Sequence, residues 1–402
     1  MPRYICQNCG YAEALAKSIY FCPRCGDPLT IEYSEGELRG VSFEGRGVWR
    51  YRAVLPVGYE GRVSMNEGAT PLQQSVHLVS ELGLGSLYFK NDGLNPTASF
   101  KDRGMTVAMT RAMEIGAEVV ACASTGNTAA SLAAYATRAG IKAVVVMPEG
   151  AVAAGKLYQI VAYGARIIKI RGNFDDSLRL LVEASKRSDR IYLMNSVNPF
   201  RLEGQKTVGM EIMEELGEGG EEPDWISIPV GNAGNISALW KGLNELKAMG
   251  KLKRLPRLLG VQAEGASPIF KAYKEGRQEI EPVASPQTVA SAIKIGSPAS
   301  WRRALKAVKE SGGAMVSVND GQILEYQYFL SSKEGVFAEP ASAASVAGLK
   351  EAMGRGIVKG GSKAVAIITG NGLKDLETAG RLRADQVIID ADQKEFMAAV
   401  ES

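Results

Sequence analysis

The chain has 402 residues, enough for two or three folded units, and its 46% hydrophobic and 23% charged content is that of an ordinary globular protein with a full core. A net charge of +3 is too small to draw it to nucleic acid or to an anionic membrane surface, and its longest apolar runs, 143–147 and 364–368, are strand-length, far below the roughly 20 residues of a membrane span. With one histidine, His77, and no nucleophile elbow, chemistry built on a serine–histidine pair is excluded as the leading reading.

Residues 1–32 read as a separate module. Cys6-Gln7-Asn8-Cys9-Gly10 and Cys22-Pro23-Arg24-Cys25-Gly26 are two Cys-x-x-Cys knuckles, twelve residues apart. Four thiolates at this spacing suit tetrahedral zinc, and a site closed by four cysteines has no open position, so the expected role is structural. The N-terminus has no signal-peptide hydrophobic stretch, so a cytoplasmic protein is expected, where disulfides are disfavoured. The fifth cysteine, Cys122, falls in an apolar strand and reads as a core thiol.

After an irregular stretch over 33–86, Leu87–Lys90 reads as a strand. Asn95-Pro96 forces a turn, and helical spacing follows at Met105, Ala108, Met109 and Ala112. Lys101 therefore sits at a strand–loop–helix junction, where functional groups of α/β folds gather. The adjacent Asp102 and Arg103 read as a surface pair at the helix start.

From there strands and helices alternate. Strands are expected at 118–123, 141–147, 165–170, 191–194, 225–230, 258–263, 315–319 and 364–369, and helices at 127–139, 201–216, 234–249 and 340–354. Strands apolar on successive positions belong to sheets covered on both faces, so the fold class is α/β with mostly parallel sheets, two of them by strand count. Two stretches look loose, 215–223 and 276–298, the second a candidate mobile cover over a site.

Three strand-to-helix turns carry glycine and small polar residues: Ser124-Thr125-Gly126-Asn127-Thr128, Gly231-Asn232-Ala233-Gly234-Asn235 and Thr369-Gly370-Asn371-Gly372. Each puts free amides near a helix N-terminus, a ready anion site, yet none is a P-loop or a dinucleotide fingerprint. Together with Lys101 they suggest a phosphorylated cofactor held by amides, with a lysine for covalent attachment.

These residues resemble pyridoxal-phosphate enzymes of the tryptophan-synthase-β fold. The runs Asn195–Lys206, Gln262–Pro268 and Glu339–Ser345 narrow the likeness to the threonine synthase family, some archaeal-type members of which carry an N-terminal zinc ribbon. The resemblance covers about residues 65–375. It implies fold type II, with two three-layer α/β domains: a large one of about 33–100 and 207–402 and a small one of about 101–206, behind the ribbon at 1–32. It also implies a homodimer.

Carried over by position, Lys101 would form the Schiff base with pyridoxal 5′-phosphate and move protons. Asn127 would bond the ring's phenolic oxygen. Gly231, Asn232, Ala233, Gly234 and Asn235 would hold the cofactor phosphate, and Thr369 would face the ring nitrogen. Asn195, Ser196, Arg201 and Thr128 would grip the phosphate of O-phosphohomoserine, and Ser124 and Thr125 its carboxylate; Cys6, Cys9, Cys22 and Cys25 would bind zinc. The implied reaction makes L-threonine and phosphate. A cysteate synthase using O-phosphoserine and sulfite, a threonine or serine dehydratase, and a non-enzymatic zinc-ribbon binding protein stand as alternatives. Two positions depart from the family's usual pattern: Ala98 replaces a glycine before the lysine, and Asn371 replaces a histidine in the last turn.

Overall fold

The computed structural model describes residues 1–150, 154–188, 190–217, 219–379 and 386–401. A three-stranded antiparallel ribbon comes first, built from β1 (Arg3–Ile5), β2 (Ala12–Ala14) and β3 (Thr30–Glu32) in the order β2-β1-β3. The remaining strands are β4 (Leu72–Gln74), β5 (Ser86–Asn91), β6 (Val119–Ala123), β7 (Lys142–Pro148), β8 (Arg166–Ile170), β9 (Ile191–Leu193), β10 (Trp225–Pro229), β11 (Arg257–Ala263), β12 (Ala314–Val318) and β13 (Lys363–Ile368). They form a six-stranded sheet, β12-β11-β10-β13-β5-β4, parallel except for β4 at one edge, and a four-stranded parallel sheet, β8-β7-β6-β9. Every strand expected from the sequence is present, with no end shifted by more than one residue.

Both sheets are covered on two faces, which is why their strands read as unbroken apolar runs. Along β13, Ala364, Ala366 and Ile368 enter one core while Val365 and Ile367 enter another. Along β6, Val120 and Cys122 face one core and Ala121 and Ala123 the other. Cys122 is fully buried, as expected of a core thiol.

Seven helices matter for the site: α1 (Lys101–Glu114), α2 (Asn127–Ala139), α3 (Pro199–Gln205), α4 (Thr207–Gly217), α5 (Gly234–Ala248), α6 (Trp301–Glu310) and α7 (Pro340–Gly354). α7 has proline at its first turn and then small residues, which let it lie close on the six-stranded sheet. A Cβ at Gly348 would come within 2.3 Å of Val261. α1 and α3 cross backbone to backbone: a Cβ at Gly204 would sit 1.7 Å from the Arg103 carbonyl, and one at Gly104 would sit 2.6 Å from the Arg201 carbonyl. One helical turn before each glycine lie Lys101 and Arg201, so this contact sets the two side chains against each other.

Three expectations are corrected. The single helix over 201–216 is two helices, broken at Lys206. The Lys206 ammonium is buried and held by Glu203 at 2.6 Å, Glu245 at 2.7 Å and the Val54 carbonyl at 2.7 Å, so the break positions a charge network that local propensity does not encode. Asp102 and Arg103 are not a surface pair, since both are fully buried. Asp102 accepts bonds of 2.6 Å from the Thr97 amide, the Thr97 hydroxyl and the Ser131 hydroxyl, while Arg103 pairs with Asp92 and Glu211, each at 2.7 Å. Of the loose stretch 215–223, residues 215–217 belong to α4 and position 218 lies outside the described residues. The stretch 276–298 is irregular apart from one 3-10 turn, Ser291–Ile293, and is anchored at several points, among them Val283 to Gly296 at 3.0 Å, Gln287 to Gly265 at 3.0 Å and Ser291 to Asp375 at 2.7 Å. No helix among the described residues is long and apolar enough to cross a membrane.

Candidate active site

The carboxyl ends of β6, β9, β10 and β13, together with the loop after β5, bring the expected residues together. The loop before Lys101 is stitched to the turn after β13. The Phe100 amide donates to the Thr369 carbonyl at 2.9 Å, and the Asn371 amide donates to the Ala98 carbonyl at 3.0 Å. Ala98 holds a left-handed φ of 63°, the conformation for which the usual glycine suits the position. Replacing Ala98 by glycine is therefore expected to stabilise the protein by about 1 kcal/mol. A differential-scanning comparison should show a rise in the unfolding midpoint on the order of 2 °C.

Lys101 opens α1, its amine 3.7 Å from the centre of the Phe100 ring. Burial, and then the neighbouring Arg201 cation, pull its pKa down to about 7 against the opposing pull of Glu339. An amine in that state accepts and returns protons near neutrality. Arg201 is fully buried and donates through Nη1 to the Met194 carbonyl at 3.0 Å, while its Nε and Nη2 have no hydrogen-bond partner. Burial lowers its pKa to about 10. A buried guanidinium with two unmet donors is costly to fold, and an anion arriving beside Lys101 would satisfy it.

Asn127, at the first turn of α2, is buried and donates to Glu339 at 2.9 Å. The Thr369 hydroxyl donates to the other oxygen of the same carboxylate at 3.2 Å and lies 2.9 Å from the Ser342 hydroxyl. Glu339 thus ties together the two residues expected at opposite edges of the cofactor ring. Burial raises its pKa. In the sequence Glu339 reads only as a helix start. The available signal is its place ahead of Pro340 and a run of small, wholly buried residues, where an unpartnered carboxylate could not stay.

On the glycine loop after β10, the first-turn amides of α5 at Gly234, Asn235 and Ile236 have no intrahelical acceptor by construction. The buried Asn235 Nδ2 also lacks a partner. Gly231 has little room for a Cβ, with the Ile293 backbone at 3.0 Å, and Ala233 is left-handed at φ 65°. The anchored stretch 276–298 therefore packs on this loop. Asn232 accepts the Ala299 amide at 2.6 Å and donates to the Ser196 hydroxyl, which links the cofactor-phosphate loop to the segment after β9.

The Asn195 side chain bonds both ways with the Ala123 backbone, at 3.0 and 2.9 Å, so it fixes the turn at 123–128. On that turn Ser124, Thr125 and Thr128 are partly buried. The Ser124 hydroxyl accepts the Gly126 amide at 3.2 Å. His77 is exposed at the start of a short helix whose first amides bond Glu334, outside this group of residues.

Residues 63–370 match the family described as pyridoxal-phosphate dependent enzyme. The chain belongs to this pyridoxal-phosphate dependent family. Among curated relatives it is 48% identical over 394 residues to a threonine synthase of Methanocaldococcus jannaschii, with 96% of each chain covered. It is 50% identical over 330 residues to a threonine synthase of Mycobacterium tuberculosis, covering 82% of this chain and 88% of that one. Of solved structures, a threonine deaminase of T.th. superposes with a TM-score of 0.63 at 26% identity, covering 75% of this chain and 92% of that one. A processed threonine deaminase isoform from Solanum lycopersicum has a TM-score of 0.67 at 21% identity, covering 85% and 95%, and shares the fold.

The pyridoxal-phosphate family's cofactor fits the residues present. A lysine amine poised near neutrality, orphaned donors on Asn235 and Arg201, free first-turn amides and a loop whose first glycine leaves little room for a Cβ are the features such a group would use. The thiols of Cys6, Cys9, Cys22 and Cys25 lie within 4.8 Å of one another, with Cys6–Cys25 and Cys9–Cys22 at 3.5 Å. A zinc tetrahedron with bonds of about 2.3 Å spaces its sulfurs at roughly 3.8 Å, so the four thiols fit a structural zinc.

Proposed function

We propose that the chain is a threonine synthase, turning O-phospho-L-homoserine and water into L-threonine and phosphate with pyridoxal 5′-phosphate. The observation that carries this reading is Arg201. A buried guanidinium with two open donors beside a near-neutral lysine calls for a substrate bearing a dianion, and a planar fork can meet two phosphate oxygens at once. The near-half identity to threonine synthases over most of the chain supports the same conclusion. A threonine or serine dehydratase would leave Arg201 with nothing to bind.

When bound, the cofactor supplies the electron sink that makes the protons next to the substrate nitrogen removable. Lys101 anchors it and then carries protons: its amine takes one from the α-carbon and one from the β-carbon. Phosphate leaves with the electron pair of its bond to the γ-carbon; one proton is then returned to the γ-carbon, water's oxygen bonds the β-carbon, a second proton is returned to the α-carbon, and the proton that water gives up ends on the departing phosphate. Arg201, with Ser196 and Thr128, holds the leaving phosphate; Asn195, expected to join that grip, has both side-chain amide atoms bonded to the Ala123 backbone and instead fixes the turn that presents Ser124 and Thr125 to the substrate carboxylate. Gly231, Asn232, Ala233, Gly234 and Asn235 hold the cofactor phosphate. Glu339 would hold Asn127 and Thr369 in place beside the ring, with Asn127 at its phenolic oxygen and the Thr369 hydroxyl at its nitrogen.

In the same proposal the ribbon is residues 1–32, the small domain 101–206, and the large domain 33–100 with 207–402. The four-stranded sheet drawn from 119–193 supports that division, and the working form is a cytoplasmic homodimer. The deciding experiment supplies the purified protein with O-phosphohomoserine, with O-phosphoserine plus sulfite, and with threonine. Threonine and equimolar phosphate are expected from the first. No threonine at saturating cofactor overturns the proposal, sulfite-dependent phosphate release would make the protein a cysteate synthase, and keto-acid formation would make it a dehydratase.

A further inference from the structure

The ribbon does more than sit at one end of the chain. β9 is an edge strand whose one sheet neighbour is β6, so its outer amides need partners. The ribbon supplies one: the Leu193 amide donates to the Tyr20 hydroxyl at 2.9 Å. Leu193 and Met194 are also where Arg201 is held. The Leu193 carbonyl accepts from Asn198 at 2.8 Å, Asn198 caps α3 through the Phe200 amide at 3.0 Å, and the Met194 carbonyl takes the one hydrogen bond that the Arg201 side chain makes among the described residues. The neighbouring Phe200 is gripped from the ribbon too. The Tyr4 ring meets it edge-on with centroids 6.3 Å apart, and Arg111, bonded to the Leu15 carbonyl at 2.6 Å, stacks on it at 5.2 Å.

The ribbon's other face reaches the opposite side of the same anion site. Asp27 pairs with Arg302 at 3.0 Å and the Pro28 carbonyl accepts from Arg303. Just before them, the amides of Ala299 and Ser300 close on Asn232, which in turn donates to Ser196. Through these intermediates the ribbon reaches Arg201 and Ser196; it also packs on the side of α1 through Arg111, but none of its described hydrogen bonds or ion pairs is made to Lys101, Asn127, Glu339 or Thr369.

We infer that the four-cysteine ribbon is a positioning element for the substrate-phosphate site, acting chiefly through the Tyr20 hydroxyl on the backbone that holds Arg201. This rests on the reading of Arg201 as the phosphate ligand. A brace of this kind sets how well a phosphorylated substrate is held, and none of its described hydrogen bonds or ion pairs is made to Lys101.

The test uses the full-length holoenzyme with Tyr20→Phe, which removes the acceptor and keeps the ring against Tyr192, 5.9 Å away. The KM for the phosphorylated substrate should rise about 5–10-fold, the worth of one buried hydrogen bond. The Kd for inorganic phosphate, read from the bound cofactor's absorbance, should rise by the same factor. Turnover at saturation, zinc content and cofactor content should not change. Unchanged KM and phosphate affinity overturn the inference, as does a fall in turnover or cofactor content with KM unmoved. Arg201→Met separates the two layers. If it binds phosphate as well as the parent does, the reading of Arg201 falls and this inference with it. If it weakens phosphate binding while Tyr20→Phe does not, only the brace is refuted. Should Tyr20→Phe fail to fold with zinc, Tyr4→Leu takes its place, with the same measurements supporting or overturning the brace.

Discussion

Lys101→Ala is expected to lower turnover by on the order of 10²–10⁴-fold, the range a positioned acid–base group contributes. Borohydride should fix the cofactor to the parent protein at position 101 and leave the variant unlabelled, as peptide mapping would show. Adduct at any other lysine would sink the assignment. The same side chain should write a pH signature on the stability of the cofactor-free protein. Its folded pKa of about 7 lies below the ordinary 10.5, so between those values the unfolded chain binds the extra proton and stability rises with pH. The destabilisation that Lys101 imposes is complete below about pH 7 and fades as pH climbs toward 10.5. Urea midpoints of the cofactor-free parent and of Lys101→Met should therefore differ most at pH 6 and converge by pH 10. A constant difference would mean that the amine is not held neutral.

Much of this was legible in the sequence because the signals were local. Buried parallel strands announce themselves as apolar runs, glycine turns mark where strands feed helices, and two Cys-x-x-Cys knuckles state their chemistry by spacing alone. What stayed hidden were pairings across long separations. Arg103 reads as a helix-start cation until Asp92 and Glu211 are seen around it, and burial of Glu211, though it opposes ionisation, is outweighed by Arg103 and Lys90, which hold its carboxyl down to about 2. Glu339 looks like a helix start until Asn127, 212 positions away in sequence, is found on it. The crossing of α1 and α3 is another such case. Gly104 and Gly204 are unremarkable as letters, and only the approach of two backbones shows why neither position has room for a methyl group. Functional groups borrowed from distant segments are where a one-dimensional reading loses information, since no local period records them.

Arg201→Met is the second large effect, and its two halves run in opposite directions. Two guanidinium nitrogens of Arg201 are buried with no hydrogen-bond partner among the described residues, and each unmet donor costs about 1–3 kcal/mol. A methionine of similar length removes that cost and keeps the packing against the fully buried Met194 and Cys122. The cofactor-free variant should thus be at least as stable as the parent, by denaturant midpoint. Substrate binding should suffer in proportion to the charged hydrogen bonds lost. Two such bonds to phosphate, at roughly 1.5 kcal/mol or more each, correspond to a rise in KM of about 100-fold or more. Activity of the variant toward O-phosphohomoserine should be limited by KM more than by turnover, because the Lys101 amine stays in place and burial, the larger cause of its lowered pKa, remains when the Arg201 cation is gone. A variant that is both less stable and unaltered in KM would show the guanidinium to be a strut. The expected split, a sturdier fold with a blunted grip on phosphate, requires that the energy spent burying Arg201 be recovered only when the substrate's dianion arrives.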